Sequence, residues 1–393
     1  TERSSMPKIL AVLLFFSVLL NPSVVGFSST RQQSPQRGWH FRDWKRGRPC
    51  VRLDAVHRSG AMSRKKSFGG GSDKTNNNDD NNDNSNNVGV VGEKGIYSMP
   101  ALYDLAFGYR DYEEEVAFLV ERHKKHAGKE PNRILELAAG PSRHSLAALS
   151  NPDWTTVIHH ATALDLSTEM MEYSNDLANE MLDTSSRRAC FDYVIEDMRR
   201  FSVSNGDGDD KKMLFDTAWM LLGSMQHLNT NEDVVDCFRS VYETLQPGGT
   251  LVLELPHPRE TFSMVECTRN DWKVPLDDSD GTEFGELRIV WGDDDDPFDP
   301  ITQVRNFTVS FDVDTKEKDK EGELQSVRQV VPLRLFTTQE IKLFARCCGF
   351  SVVEMFGALS DEVSINDGEA AYRLVCVLQK DHNDGDDANN NKQ

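Results

Sequence analysis

Short apolar runs alternate with stretches of helical periodicity through the middle of this 393-residue chain. Segments with apolar residues at helical spacing lie between several of the runs, as at 143–149 and 234–245. Because strands that alternate with helices form parallel sheets with right-handed crossovers, the pattern predicts a parallel α/β sheet. The predicted strands occupy 134–137, 157–166, 189–195, 215–222 and 250–255.

The region that follows the fifth strand has a different pattern. Residues 261–336 alternate apolar and polar side chains with period two, as at Leu287, Ile289 and Trp291 and again from Phe307 to Val313. This alternation predicts a three-stranded antiparallel sheet, which we interpret as a cap inserted over the parallel sheet. A helix at 338–348 and two strands at 351–356 and 372–378 follow it.

The first 68 residues are predicted to be a targeting segment. A twelve-residue apolar run at 9–20 follows Lys8, which fits a signal peptide over 1–26. Residues 27–68 are basic and poor in acids, as transit peptides are. Together they resemble the bipartite plastid presequence of algae with secondary plastids, so we expect a plastid location. Secretion with a basic propeptide is the alternative, and an uncleaved anchor is the least favoured.

Two segments of low complexity bound the predicted folded body at 95–380. Residues 69–94 and 381–393 are rich in Asn and Asp and contain few apolar groups. Such segments bury too little surface to offset the entropy of ordering the chain, so both are predicted to be disordered.

Charge and cysteine content exclude several classes of function. The formal net charge is −20, although residues 27–66 hold eleven Lys and Arg against two Asp. The body is therefore strongly acidic, which argues against a nucleic-acid partner. The seven cysteines show no spacing typical of metal ligands, so no metal site is expected.

Acidic residues recur where the predicted strands end. Glu136, Asp165 and Asp197 occupy these positions, and the carboxyl ends of parallel strands meet in one crevice. Three carboxylates would repel a phosphate but suit a ligand with hydroxyls, an amine and a positive centre. S-adenosylmethionine has all of these. An NAD site would need a turn with several glycines, whereas the loop after the first strand has only Gly140.

Four short motifs in this order resemble the seven-stranded, class I methyltransferases that depend on S-adenosylmethionine. They are Glu136-Leu-Ala-Ala-Gly140, Asp165-Leu-Ser, Glu196-Asp197-Met198 and Leu245-Gln-Pro-Gly-Gly249. The resemblance covers about 97–380 and is closest to small-molecule enzymes with an E-L-A-x-G-P-x-R-H loop and no assigned substrate. It implies a Rossmann-like, doubly wound, mostly parallel seven-stranded sheet, with the antiparallel β cap inserted at 261–336.

The resemblance also implies which residues bind the cofactor. The loop after the first strand would approach the methionine part, Asp165 would accept from the ribose hydroxyls, and the Asp197 region would contact adenine. An alternative role for Asp165 is to cap the helix that follows, although Ser167 is suited to that role. The cofactor-binding candidates are Glu136, Ala138, Gly140, Ser142, Asp165, Leu166, Asp197 and Met198.

The acceptor side has weaker signals. His257 lies at a strand end between two prolines, where it would be either a general base or a turn residue. Tyr109 precedes the first strand and is the second catalytic candidate. Other candidates near the crevice are Tyr103, Arg110, Ser224, Gln226 and His227.

The predicted function is methyl transfer from S-adenosylmethionine to a small-molecule acceptor, with nitrogen and oxygen acceptors both open. An in-line displacement depends mainly on alignment, and a base is needed only where the acceptor must lose a proton. The alternatives are a non-catalytic S-adenosylmethionine-binding regulator of the same fold and, less favoured, an NAD-type oxidoreductase. We expect no nucleic-acid partner and no stable membrane insertion of the mature chain.

Overall fold

The computed structural model describes residues 95–154, 156–182, 184–204, 213–261, 269–277, 283–315 and 326–381. The predicted signal peptide at 1–26, the transit-peptide-like segment at 27–68, the linker at 69–94 and all but the first residue of the tail at 381–393 lie outside these residues.

The strands and helices alternate as the apolar pattern predicted. The strands are β1 (Arg133–Leu137), β2 (His160–Asp165), β3 (Phe191–Ile195), β4 (Phe215–Met220), β5 (Leu245–Pro256), β6 (Asn270–Asp277), β7 (Glu283–Trp291), β8 (Phe298–Asp299), β9 (Val304–Thr315), β10 (Val327–Arg334), β11 (Phe350–Phe356) and β12 (Arg373–Lys380). The helices are α1 (Pro100–Phe107), α2 (Tyr112–Ala127), α3 (Arg143–Ser150), α4 (Thr168–Met181), α5 (Ser185–Arg188), α6 (Asn231–Thr244), α7 (Pro258–Thr261) and α8 (Thr338–Cys347), with 3₁₀ turns η1 (Ile96–Ser98) and η2 (Ser224–His227).

The central sheet has seven strands in the order β11-β12-β5-β4-β1-β2-β3. The five strands from β5 to β3 are parallel, and β12 runs antiparallel to both β5 and β11. This arrangement confirms the predicted doubly wound, mostly parallel seven-stranded sheet. The direction of winding reverses between β1 and β4, and ligands of such sheets bind outside the carboxyl ends of the strands at that point.

Helices cover both faces of the sheet because their apolar residues recur at helical spacing. Helix α6 buries Val234, Cys237, Phe238 and Val241 on a single stripe, beside apolar residues of α8. On the opposite face, α2, α3 and α4 pack over Ile134 and its neighbours. The result is a three-layer core with the sheet in the middle.

The inserted region forms a second sheet, with strand order β10-β9-β7-β6 and β8 paired to β9. Strands β7, β9 and β10 confirm the three predicted strands and their antiparallel pairing. The prediction of only three strands was wrong, because β6 and β8 were missed. Pro275 interrupts β6, which the sequence pattern therefore disfavoured as a strand, but β6 lies at the edge of the sheet, where proline is tolerated.

The cap packs against η1 and α1 rather than standing apart from the body. Ile96, Leu102 and Ala106 belong to the same buried cluster as Leu287 and other cap residues. The indole Nε1 of Trp272 also donates a hydrogen bond of 2.9 Å to the Ala106 carbonyl. These contacts fix the position of α1, whose side chains reach the candidate site. Among the described residues, no helix is long and apolar enough to cross a membrane.

Candidate functional site

A cavity opens at the carboxyl edge of the sheet, where the winding reverses. Its empty volume is about 470 Å³, including space open to solvent. The walls come from the loop after β1, from Tyr103, Asp104 and Phe107 of α1, from the start of α3, and from the turn after β4. Ala138 and Gly140, two of the predicted cofactor-binding residues, lie in this wall.

The loop after β1 follows an unusual backbone path. Ala138, Gly140 and Ser142 all have positive φ angles, at 48°, 50° and 52°. The path is held by hydrogen bonds from the Ala139 amide to the Leu164 carbonyl (3.0 Å) and from the Ser142 amide to the Ala139 carbonyl (2.8 Å). Non-glycine residues in this conformation are uncommon and often mark functional sites. Every second residue of the loop thus adopts the left-handed backbone conformation, and the loop bends tightly around the cavity.

Asp165 ties this loop to the end of β2. Its Oδ2 atom accepts from the Gly140 amide at 2.8 Å, and its Oδ1 atom accepts from the Ser167 amide at 3.0 Å. The hydroxyl of Ser167 caps α4 by accepting from the Met170 amide at 3.1 Å. Burial raises the pKa of Asp165 above its ordinary value, while the backbone hydrogen bonds oppose the rise. Since a carboxylate accepts about four hydrogen bonds, Asp165 retains capacity for a ligand.

Glu136 is buried behind the loop and is already engaged. Its Oε2 atom accepts from the Ser145 amide (2.9 Å) and from the Ser145 hydroxyl (2.5 Å). The Nδ1 atom of His144 lies 3.4 Å from Oε1. Glu136 lines the cavity, but these bonds also make it the anchor of the first turn of α3.

A chain of buried charges runs from Glu136 to the end of β5. His144 Nε2 lies 2.8 Å from Glu115, and Arg110 joins Glu115 (2.9 Å) to Glu254 (3.0 and 3.1 Å). Burial opposes the charged imidazole, but the hydrogen bonds to Glu115 and Glu136 raise the pKa of His144 to about 9. Burial likewise opposes the Glu254 carboxylate, but Arg110 and Arg373 lower its pKa to about 2. This series of ion pairs stabilises the elements that form the back wall of the cavity.

A separate ion pair lines the cavity itself. Arg143 donates from Nε to Asp104 at 2.8 Å and forms a second bond through a terminal nitrogen. The Tyr173 hydroxyl donates to the same carboxylate at 2.8 Å. Both members of the pair are buried, and both contribute to the cavity wall. The wall therefore presents a positive and a negative group side by side.

Three predicted cofactor-binding residues have other contacts. Ser142 is fully buried, with its hydroxyl against that of Ser174, so only its backbone shapes the loop. Asp197 lies at the end of β3 and accepts from the Nε and the amide of Arg199, which lowers the pKa of Asp197. Met198 packs on the core beneath that edge. In contrast, Leu166 follows Asp165 with 66% of its surface exposed.

The two catalytic candidates lie away from the cavity wall. His257 is buried; its Nε2 lies 2.9 Å from the Ile365 carbonyl, and its Nδ1 accepts from the Arg259 amide at 3.2 Å. With both ring nitrogens bonded to backbone and the side chain outside the cavity lining, His257 stabilises the loop around it, which contradicts its expected role as the base. Tyr109 follows α1 and is exposed, outside the lining of the cavity.

Other acceptor-side candidates are better placed. Tyr103 and Ser224 line the cavity, whereas Arg110 is committed to Glu115 and Glu254. The Nε2 atom of His227 lies 3.1 Å from the Tyr97 hydroxyl. Within the part of the chain that the structure describes, no group of three or more His, Cys, Asp or Glu residues is arranged to hold a metal ion.

Sequence reasoning missed Asp104, Glu115 and Tyr97. Asp104 had a usable signal, because it is a lone acid within the apolar helix Pro100–Phe107. Glu115 is one of three acids in the first turn of α2, with Glu113 and Glu114, and nothing in the sequence distinguishes it from the other two. Tyr97 lies in a short 3₁₀ turn, where no periodic pattern marks its partners.

Comparison of the whole chain with family models gives no match. Among curated proteins, the chain is similar to YqeM of Bacillus subtilis (strain 168), which is provisionally named a methyltransferase, with 28% identity over 137 residues. The match covers 35% of this chain and spans about half (46%) of that protein's length.

Solved structures share the fold. An S-adenosylmethionine-dependent methyltransferase from Clostridium acetobutylicum ATCC 824 aligns with a TM-score of 0.53 and 16% identity, covering 71% of this chain and 96% of that one. CalS10 of Micromonospora echinaspora, an amino pentose methyltransferase solved with S-adenosylmethionine bound, gives 0.50 and 18%, covering 71% and 95%. KedS8, a sugar N-methyltransferase from Streptoalloteichus sp ATCC 53650, gives 0.50 and 16%, covering 80% and 100%. The chain thus has the Rossmann-like fold of these methyltransferases.

Proposed function

We propose that this protein transfers a methyl group from S-adenosylmethionine to a small-molecule acceptor. The observation that carries the proposal is the 2.8 Å hydrogen bond from the Gly140 amide to Asp165, which joins the β1 loop to the end of β2. This bond sets a glycine-containing loop and an acid side by side at the point where the sheet reverses its winding. A nucleoside ligand of such folds binds at that point.

We expect residues in and beside the cavity to contact successive parts of S-adenosylmethionine. The ammonium and carboxylate of its amino-acid end match the Asp104–Arg143 pair, which presents one charge of each sign. Asp165 would accept from the ribose hydroxyls, and the exposed Leu166 would flank the adenine ring. Asp197 and Met198 remain the expected contacts at the far edge of the base. The adjacent Glu136 would act on the ligand through the loop that it anchors.

The acceptor would approach from the side of α1 and the cap. Tyr103 and Phe107 form that wall of the cavity, and their rings lie 4.7 Å apart. Phe107 in turn contacts Trp272 and Trp291 of the cap, with ring centroids 5.8 and 5.9 Å away. An apolar aromatic wall of this kind excludes water and suits a small organic acceptor rather than a macromolecule. Amino sugars are the first acceptors to test, because CalS10 is an amino pentose methyltransferase and KedS8 a sugar N-methyltransferase.

In this proposal the protein acts mainly by alignment. The methyl group is activated by the positive sulfur of the donor, so the protein must hold donor and acceptor in line and keep water away. Arg143 and Asp165 would fix the amino-acid end and the ribose of the donor, while the aromatic wall would orient the acceptor.

Isothermal titration calorimetry of the full chain tests the proposal. We expect S-adenosylhomocysteine to bind with one-to-one stoichiometry and NADH to give no heat. Absence of S-adenosylhomocysteine binding would overturn the proposal, and NADH binding would favour an oxidoreductase. A panel of amino sugars with methyl-labelled donor then separates an enzyme from a regulator that only binds.

A further inference from the structure

Tyr97 and His227 form a hydrogen-bonded pair at the rim of the site. The Tyr97 hydroxyl lies 3.1 Å from Nε2 of His227, and the two rings meet edge to face with centroids 5.6 Å apart. Tyr97 comes from η1, and His227 from η2, directly after β4. The two residues are 130 positions apart in the chain, so only the fold brings them together.

Each residue of the pair lies next to a residue that lines the cavity. Ser224, at the other end of the η2 turn, lines the cavity, as does Tyr103, whose ring lies 5.7 Å from that of Tyr97. The Ser167 hydroxyl donates to the Tyr97 carbonyl at 3.4 Å, which connects η1 to the residue that follows Asp165 and Leu166. The pair therefore borders the region between the expected ribose site and the aromatic wall.

The surroundings set the protonation of both groups near neutral pH. Although part of His227 meets solvent, crowding by protein atoms lowers the pKa of its imidazole, which is then neutral. Burial and the nearby Tyr103 and Asp165 raise the pKa of Tyr97, which keeps its hydroxyl protonated. The elements packed against η2 also carry charged groups: Arg334 of β10, whose carbonyl accepts from Gln226 at 3.3 Å, and Glu254 of β5, whose carbonyl accepts from the Gly223 amide at 3.0 Å. When the imidazole is protonated at Nδ1, Nε2 of His227 accepts a hydrogen bond from the Tyr97 hydroxyl.

We propose that Tyr97 and His227 form a proton relay that deprotonates the methyl acceptor. The acceptor's N–H or O–H proton moves to the Tyr97 oxygen as the Tyr97 proton moves to His227 Nε2. The freed electron pair of the acceptor forms the bond to the methyl carbon, and the carbon–sulfur bond breaks with its electrons remaining on sulfur. The imidazolium then loses its proton to solvent. This inference rests on the proposed function.

The relay narrows the class of acceptor. A neutral tertiary amine has no proton to lose and would gain nothing from the pair. An ammonium group or a hydroxyl must lose a proton to become nucleophilic, so the acceptor is expected to be a protonated amine or an alcohol. An ammonium group would also be stabilised by the faces of Tyr103 and Phe107 through cation–π attraction.

The position of the pair can be tested without knowing the acceptor. S-adenosylhomocysteine is neutral where the methyl group would be, whereas sinefungin carries an ammonium group there. We would titrate the His227 Cε1–H resonance by NMR in each complex of the full chain, assigning it with His227→Gln. If the pair faces the methyl site, the pKa of His227 is expected to be lower with sinefungin by about 0.3 to 1 pH unit, as for two charges roughly 10 Å apart.

His159 provides the matched control, because it precedes β2 at the opposite edge of the sheet and should titrate identically in both complexes. The Tyr97→Phe variant keeps the ring but removes the hydroxyl, and it should change the His227 titration while leaving the S-adenosylhomocysteine affinity within about twofold. Equal His227 titration in the two complexes would overturn the relay but leave the proposed function standing. Failure of both ligands to bind would overturn both proposals.

Discussion

The Nε2 atom of His144 lies 2.8 Å from the Oε2 atom of Glu115, directly behind the loop that bends around the cavity. The same imidazole reaches Glu136 with its other nitrogen, at 3.4 Å. A buried, charged histidine therefore joins α2 to β1 and α3. Because Glu136 also holds the first turn of α3 through Ser145, the shape of the loop depends on the charge of His144.

The first prediction concerns stability at alkaline pH. The pKa of His144 is about 9 in the folded chain and 6.5 in the unfolded chain. This group therefore contributes its full stabilisation to the fold below pH 6.5. That contribution is lost as the pH rises from 6.5 through 9, and a difference of this size corresponds to about 3 kcal/mol. Urea denaturation at pH 6.5 and pH 9 measures the loss as a fall in the free energy of unfolding.

The His144→Gln variant is the control, because it keeps a polar side chain but cannot be protonated. Between pH 6.5 and pH 9 its free energy of unfolding should fall less than that of the wild type. The difference between the two proteins should be most of the about 3 kcal/mol assigned to His144. Parallel pH profiles for the two proteins would show that His144 is not charged in the fold.

A second histidine predicts the opposite dependence on pH. His123 of α2 is buried against β5, with Nδ1 2.9 Å from the Thr250 hydroxyl, and burial lowers its pKa to about 4. The unfolded chain takes up a proton near pH 6.5 while the folded chain resists until about pH 4. Stability is therefore lost as the pH falls through this window, by about 3 kcal/mol.

Comparison with His123→Gln between pH 6.5 and pH 4.5 isolates this contribution, since the carboxylates titrate in both proteins. The wild type should lose stability more steeply than the variant. An equal slope would mean that His123 is hydrated, or already charged, in the folded chain.

The order of apolar runs was sufficient to predict the alternation of strands and helices and the parallel sheet, whereas the seven-stranded, doubly wound topology was expected from the resemblance to methyltransferases. Strands β1, β2 and β4 were recognisable because each is an apolar run that is largely buried on both faces, such as Phe215–Met220. The cap was predicted only in part, since Pro275 and the charged residues of β6 hide an edge strand whose apolar side chains face α1 and the cap core. Edge strands carry a weaker pattern because one side of the backbone remains unpaired.

The site was less predictable, because its contacts join residues far apart in the chain. Asp165 and the loop at Gly140 could be found because strand ends meet at one edge of a parallel sheet. The pairing of Arg143 with Asp104 could not, since it depends on where α1 packs, and α1 is placed by the cap. His257 was misjudged for the same reason: its partner at Ile365 lies 108 residues away, in a loop without periodicity.

The third prediction tests the ion pair as the site of the ligand's amino-acid end. Removing one member alone would leave a buried charge unpaired, so Asp104→Leu and Arg143→Met are combined. We expect the double variant to bind S-adenosylhomocysteine about 10 to 100 times more weakly, as for a lost charge-assisted contact. Methylthioadenosine lacks the amino-acid end, and its affinity should change by no more than about twofold. Calorimetry with both ligands measures the difference. An equal loss of affinity for both would show that the amino-acid end of the ligand does not bind at this ion pair.

The fourth prediction concerns Asp165, which we expect to bind the ribose. Since S-adenosylhomocysteine and methylthioadenosine share that sugar, Asp165→Ala should weaken both by about tenfold or more, corresponding to a lost hydrogen bond to a charged group. The loop is also held by the Ala139 amide on the Leu164 carbonyl and by the Tyr193 hydroxyl on the Gly140 carbonyl (2.8 Å), so the variant should remain folded.

Asp192→Ala is the matched control for this substitution. Asp192 lies on the neighbouring strand β3 and is largely exposed, with His160 3.3 Å from its carboxylate, so its loss should leave the affinity for both ligands unchanged. The comparison separates a local contact from a general effect of removing an acid from this sheet. If Asp165→Ala retained wild-type affinity for both nucleosides, its carboxylate would serve only to hold Gly140, and the ribose would have to lie elsewhere along the carboxyl edge.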